Sequence, residues 1–198
     1  MIDSIKGTDF LFPTIVYRSH DLNFSSIKDD LIDDVYKVKE IDPGGGVVKS
    51  NYGGWQSTTD LCDNLSNKNI QYIVDRIYDT LPEYLRNSYR IQGAWAAVNG
   101  PGDFNWPHFH TEALLSGVMW LKIVSAGGEI RLENPNEYAE SPNILKTPDM
   151  IREQTKNMLS MHFKPQEGEM MIFPAWLRHA VTPNESTQDR ISIAFNLT

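Results

Sequence analysis

The stretch "NGPGDFNWPHFHTEALLSGVMW", Asn99 to Trp120, decides how the chain is read. It sets His108 and His110 one residue apart, ahead of a long apolar run. A strand places residues i and i+2 on one face, so the two imidazoles point the same way, and Glu112 joins them if the strand continues. A lone histidine is ordinarily a half-buried side chain with a hydrogen-bond partner. A His-x-His pair with a third histidine on a later strand reads instead as a metal site. That third histidine is His179, in "IFPAWLRHAVTP", set between two strands by Pro174, Pro183 and the run "MMIF".

Working outward, the pattern from Arg90 onward has period two. It predicts strands at "RIQGAWAAVN", "NWPHFH", "LLSGVMWLKIV", "GGEIRLEN", "NMLSMHFKP", "GEMMIFPAW", "LRHAVTP" and "RISIAFNLT". Short strands at this spacing, separated by Gly, Pro and Asn, indicate a sandwich or barrel. Segment 134–157 interrupts them with polar residues and Pro135, Pro142 and Pro148, and reads equally as a lid or as a surface insertion.

The first 89 residues differ. "TDFLFPTIVYRSH" predicts an early strand with Pro13 at an edge or bend. "NFSSIKDDLIDDVYKVKE" predicts a helix with Ile27, Leu31 and Val35 on one face and Asn23 or Ser25 as cap. "DPGGGVVKSNYGGW" reads as a flexible loop. "LSNKNIQYIVDRIYDTL" predicts a second helix with the stripe Ile70, Ile73, Val74, Ile77, Leu81, Asn64 as cap, and Pro82 at its end. Helices first and strands after give an α+β order, expected as a single domain over 1–198: supporting elements in 1–89 packed on one sheet of a β core in 90–198.

Near the C-terminus, Arg190 and Ser192 in "RISIAFN" share one strand face, while Ile191, Ile193 and Phe195 share the other. An arginine on the polar face of a barrel strand is suited to hold a carboxylate through a forked pair of hydrogen bonds.

Bulk properties narrow the partners. The chain has 198 residues, with 26 acidic against 18 basic side chains and a net charge of −8. No basic stripe is present, which argues against nucleic acid as partner. Cys62 is the one cysteine, which fits the reducing cytosol and hence a cytoplasmic protein. Neither a signal peptide nor an apolar run long enough for a membrane span is visible.

Together these motifs resemble the iron(II)/2-oxoglutarate-dependent oxygenases, in particular a bacterial and phage family with H-x-H-x(5)-S-G-V, then G-x(4)-F-P-x(4)-H, then R-x-S-x-x-F-N. Here they read "HFHTEALLSGV", "GEMMIFPAWLRH" and "RISIAFN", and "LFPTIVY" and "GGWQS" match the family's earlier segments. The resemblance implies a double-stranded β-helix, a jelly-roll or cupin-like barrel. It also implies iron(II), 2-oxoglutarate and O2 as cofactors, with decarboxylation to succinate coupled to hydroxylation of a small-molecule or peptide substrate. Edge strands of such barrels often pair, so a homodimer is a further expectation.

A second frame comes from prolyl-hydroxylase-like oxygenases, which run Y-x-x-G-x-x-Y-x-x-H-x-D. Asn99, Gly102, Asn105, His108 and His110 occupy those positions here. Both tyrosines are asparagine, and the ligand aspartate is His110. Three completions of the metal site follow: His108, His110 and His179 together; Glu112 brought in beside a displaced His110; or the same residues around a metal other than iron. The first is preferred, because the frame from Gly102 fixes His108 as first ligand and Glu112 lies ~6–7 Å further along a strand. Arg190 and Ser192 are the co-substrate residues by resemblance, with Asn99 beside them. Asn105, Trp106 and Trp176 are candidates for the substrate pocket.

A cupin is the main alternative. Gly102, His108 and His110 fit its first motif, and Gly168, Pro174 and His179 its second. Leu114 and Leu115 stand where a cupin glutamate belongs, and Trp176 where its glycine does. A non-catalytic binding module on the same barrel is the other alternative.

Overall fold

The computed structural model describes residues 12–42, 44–155 and 157–198. In chain order, β1 is Tyr17–His20 and α1 is Lys28–Glu40. Two short strands follow, β2 Asn51–Tyr52 and β3 Trp55–Gln56, then α2 Leu61–Asn64 and α3 Asn67–Thr80. Next come β4 Ile91–Asn99, β5 Phe104–His108, β6 Leu115–Lys122 and β7 Ile130–Glu133. Then follow α4 Pro142–Leu145, α5 Asp149–Gln154, β8 Ser160–Phe163, β9 Glu169–Pro174, β10 His179–Val181 and β11 Arg190–Leu197.

The strands form two antiparallel sheets, one in the order β1-β9-β6-β11-β4-β3 and the other β2-β5-β10-β7-β8. From β4 onward the chain passes back and forth between the sheets. That winding makes the double-stranded β-helix and places β5 and β10 opposite β11.

The larger sheet is covered on both faces. Leu31 and Val35 of α1 and Ile73 and Ile77 of α3 pack on one face, against Ile191, Ile193, Phe195 and Leu197 of β11 and Ala94, Ala96 and Val98 of β4. A smaller apolar cluster between the sheets joins Val118, Trp120, Met171 and Phe173 to Ile130 and Leu132 of β7. Double coverage explains why β6 and β9 read as near-continuous apolar runs. Gly117 faces Phe195 across the β6–β11 pair, and a Cβ there would lie 2.2 Å from the Phe195 ring. That close approach accounts for the glycine of "SGV".

The expected helices and strands form, with local differences. Helix α1 starts after a short 3-10 turn at Phe24–Ser26, and Ile27 rather than Asn23 or Ser25 stands at its start, with no side-chain cap. Likewise α3 begins after Ser66, because Asn64 ends the separate short helix α2. Pro13 lies ahead of β1, and residues 8–11 of that early segment lie outside the described residues. The glycine-rich loop carries β2 and β3, which pair with β5 and β4 and so join different sheets. Segment 134–157 holds the short helices α4 and α5, and none of its described residues lines the central cavity. Among the described residues, no helix is long and apolar enough to cross a membrane.

Candidate metal centre

His108 on β5 and His179 on β10 sit directly opposite one another in the smaller sheet. Their ring centroids are 4.2 Å apart. His110 lies just beyond the end of β5, where its backbone N–H donates to the Ala175 carbonyl at 2.9 Å. Its ring is 5.3 Å from each of the other two. One nitrogen from each of the three imidazoles falls within 4.8 Å of the others, as a shared metal ion requires.

Each ring is oriented by its Nδ1. His108 Nδ1 lies 2.7 Å from the Trp106 carbonyl, and His179 Nδ1 lies 2.9 Å from the Leu177 carbonyl. A carbonyl only accepts, so each Nδ1 carries the proton and each Nε2 keeps its lone pair. His110 Nδ1 is 2.6 Å from Asn196 Oδ1, and Ser116 Oγ donates to the same oxygen at 2.9 Å. All three rings thus present Nε2 as donor, the arrangement by which a second hydrogen bond fixes a metal-binding imidazole. Three neutral imidazoles suit iron, as they suit zinc, copper or nickel.

Burial lowers the His179 pKa to about 3, with repulsion from His108 and His110 adding to it. His108 is also lowered, first by burial and then by His110. Both rings are therefore neutral and able to ligate at neutral pH. Phe173 packs against His179 at 4.8 Å and Trp95 against His110 at 5.7 Å between ring centroids.

A cavity of about 700 Å³ opens beside the three histidines, between the two sheets. Arg190, Ser192 and Asn196 line it from β11, Trp95 from β4, and Asn105 from β5. Arg190 is buried, and burial lowers its pKa to about 10, so it is cationic at neutral pH. Its Nε donates to the Gly128 carbonyl at 3.0 Å, and its Nη1 to Ser192 Oγ at 3.1 Å and Asn99 Oδ1 at 3.4 Å. Its Nη2 donates to no described residue. A buried guanidinium with a free N–H and no carboxylate partner among the described residues fits an incoming carboxylate.

Not every candidate residue faces this cavity. Glu112 is exposed and outside the three-imidazole group, because the strand stops at His108 and does not carry Glu112 onto its inner face. Trp106 is 55% exposed and Trp176 54%, and neither lines the cavity. For Trp106 the cause is a bulge: His179 pairs with His108 but Val181 with Asn105, so β5 spends one extra residue. The bulge, which holds Pro107, turns Asn105 and His108 inward together and leaves Trp106 outside, packed on Tyr52 and Phe104. Trp176 sits in the turn between β9 and β10. Asn99 is buried behind Arg190 rather than at the cavity wall. His20 and His162 are exposed and belong to no metal-binding group among the described residues.

Several wall residues escape a reading of spacing alone. Val47, Lys49, Ser50 and the run Gln56–Thr59 line one side of the cavity. Ser50 Oγ is 3.2 Å from His108 Nε2, and the Ser50 carbonyl accepts from the Trp106 N–H at 2.8 Å. The "flexible" loop is thus pinned against the metal centre. Ser116 and Asn196 could have been singled out, since both stand inside the quoted motifs.

Comparisons with known proteins agree with this geometry. No curated protein matches the chain in sequence. Among solved structures, the non-heme α-ketoglutarate-dependent carbocyclase SnoK from nogalamycin biosynthesis is similar, with a TM-score of 0.63 at 10% identity over 93% of this chain and 79% of that one. A Pseudomonas putida prolyl-4-hydroxylase matches with a TM-score of 0.58 at 15% identity over 92% of each chain. The viral collagen prolyl hydroxylase of Paramecium Bursaria Chlorella virus-1, solved as its 2OG complex, matches with a TM-score of 0.53 at 20% identity over 91% of this chain and 95% of that one. At these identities the likeness speaks to the fold, the double-stranded β-helix. A sequence model of the family described as "Putative 2OG-Fe(II) oxygenase" matches residues 93–196, which include all three histidines, Arg190 and Asn196. The family match sets the cupin and non-catalytic alternatives aside: the chain belongs to this family of iron(II)/2-oxoglutarate-dependent oxygenases.

Proposed function

We propose that His108, His110 and His179 hold the iron(II), each through Nε2, and that Arg190 and Ser192 receive the distal carboxylate of 2-oxoglutarate. The observation that carries this reading is the shared orientation of the rings: every Nδ1 is committed to an oxygen acceptor, so every free lone pair belongs to Nε2. When bound, iron(II) with 2-oxoglutarate and O2 supplies the oxidising power to hydroxylate a substrate C–H bond, with release of succinate and carbon dioxide.

The protein's own part is binding, orientation and exclusion of water. Trp106, Leu177 and Asn196 hold the three ring protons at Nδ1. Arg190 offers a fixed positive charge, already desolvated by folding, so pairing with a carboxylate is worth more there than at the surface. Asn99 and Ser192 steady that guanidinium. Val118, Ile130, Phe173 and Ala194 give the cavity a dry wall. Asn105 lines the cavity from β5 beside His108, its Nδ2 donating to Ser50 Oγ at 3.2 Å, and we assign it to the substrate side.

The substrate is a small molecule or a peptide segment, as the open cavity admits either. The single free cysteine, Cys62, is consistent with a cytosolic setting. Succinate release from 2-oxoglutarate, with iron(II) and O2 and no added substrate, tests the reading. Slow uncoupled turnover is expected. Purified protein that binds neither iron nor 2-oxoglutarate contradicts it.

A further inference from the structure

The cavity carries a charge pattern opposite to that of the chain. Acidic residues outnumber basic ones by 26 to 18. Yet among the described residues no aspartate or glutamate lines the cavity, while Lys49 and Arg190 do. The three histidines that complete its floor add no negative charge, where an aspartate ligand would. A doubly charged metal and the dianion 2-oxoglutarate cancel each other, and Arg190 and Lys49 are left as excess positive charge.

Arg190 is committed by its depth to the co-substrate. Lys49 is not. It lines the cavity from the loop ahead of β2, is exposed, and forms no ion pair with a described residue. Its backbone is fixed at the metal centre. The Lys49 N–H donates to Asn51 Oδ1 at 2.8 Å, and the next residue, Ser50, reaches His108. Val47 and Phe109 give the same cavity apolar surface. A cation lining a cavity without a counter-charge favours an anion over its neutral analogue.

Resting on the iron/2-oxoglutarate reading above, we propose that the primary substrate is a small organic anion whose carboxylate pairs with Lys49 while its reacting carbon lies toward the three histidines. Among the described residues that line the cavity the only other cation is Arg190, which the co-substrate occupies; a single lysine matches a singly charged carboxylate better than a phosphate, which draws on several donors.

The test uses the full chain loaded anaerobically with iron(II) and 2-oxoglutarate, whose charge-transfer absorption reports the assembled site. N-acetyl amino acids and the corresponding N-acetyl amino acid amides are the probes, as pairs differing by one charge. The acids are expected to shift the band and to bind about tenfold more tightly than the amides. That preference is expected to vanish in Lys49→Gln and to reverse in Lys49→Glu. The proposal is overturned if no acid is preferred over its amide, including the case in which neither binds. It is equally overturned if the preference survives in Lys49→Gln, or if the acids abolish the band by displacing 2-oxoglutarate. Failure of the underlying oxygenase reading appears earlier and separately, as no band on adding iron and 2-oxoglutarate.

Discussion

His110 Nδ1 and Asn196 Oδ1 meet at 2.6 Å across the barrel, from a loop after β5 to the C-terminal end of β11. Ser116, paired in register with Asn196, donates to the same amide oxygen. This contact orients the imidazole that the resemblance to prolyl-hydroxylase-like oxygenases sets at the position of their aspartate. Replacing Asn196 with Ala is expected to weaken iron(II) binding about 10–100-fold, and Ser116→Ala less. Asn196→Asp should restore or raise affinity, because a carboxylate accepts the same proton more strongly. Competition with a chelator of known affinity measures all three. Equal affinity in Asn196→Ala and the native protein removes Asn196 from the site.

In the proposed function Arg190 serves the co-substrate and not the metal. Arg190→Ala should cost about 2–5 kcal/mol of 2-oxoglutarate binding. Iron(II) affinity measured without 2-oxoglutarate should stay at the native value. Titration calorimetry of each ligand in turn separates the two. Loss of both means that Arg190 instead holds the barrel together.

The pH dependence has a definite sign. His179 has a folded pKa of about 3 against an ordinary value of 6.5. Above about 6.5 the ring is neutral in both states and contributes no pH dependence. Between 6.5 and 3 the unfolded chain takes up a proton that the folded chain refuses, so metal-free stability falls as pH falls, by up to about 1.4 kcal/mol per pH unit. His108 is shifted in the same direction and adds to the slope. Denaturant unfolding across this window is expected to show the loss, with bound metal opposing it. A flat profile contradicts the burial of these rings.

Packing gives a prediction independent of chemistry. Gly117→Ala forces a methyl into the Phe195 ring on the covered face of the larger sheet. A loss of about 1–3 kcal/mol is expected in the unfolding free energy. An unchanged unfolding midpoint would show that β6 and β11 are not packed so closely.

How far the sequence was legible depends on whether a feature is local. Strand β11 could be read because its faces alternate cleanly, Arg190 and Ser192 inward against Ile191, Ile193 and Phe195 outward. The three histidines could be read from spacing and motif. Trp106 could not, because the bulge at Pro107 breaks the period-two rule just where it was applied. The partnership of His110 with Asn196 depends on how β6 registers against β11, which neither segment encodes alone. Nor could Lys49 and Ser50 be placed, since a glycine-rich loop becomes a cavity wall only once Ser50 bonds to β5.

The central claim is that three imidazoles, with no protein carboxylate, hold the iron while Arg190 holds the co-substrate. A crystal structure of the protein grown anaerobically with iron(II) and 2-oxoglutarate tests it most directly. The predicted result is Nε2 of His108, His110 and His179 on one metal ion and the distal carboxylate of 2-oxoglutarate on Arg190. Glu112 on the metal in place of His110, or a 2-oxoglutarate that leaves Arg190 unengaged, would contradict it.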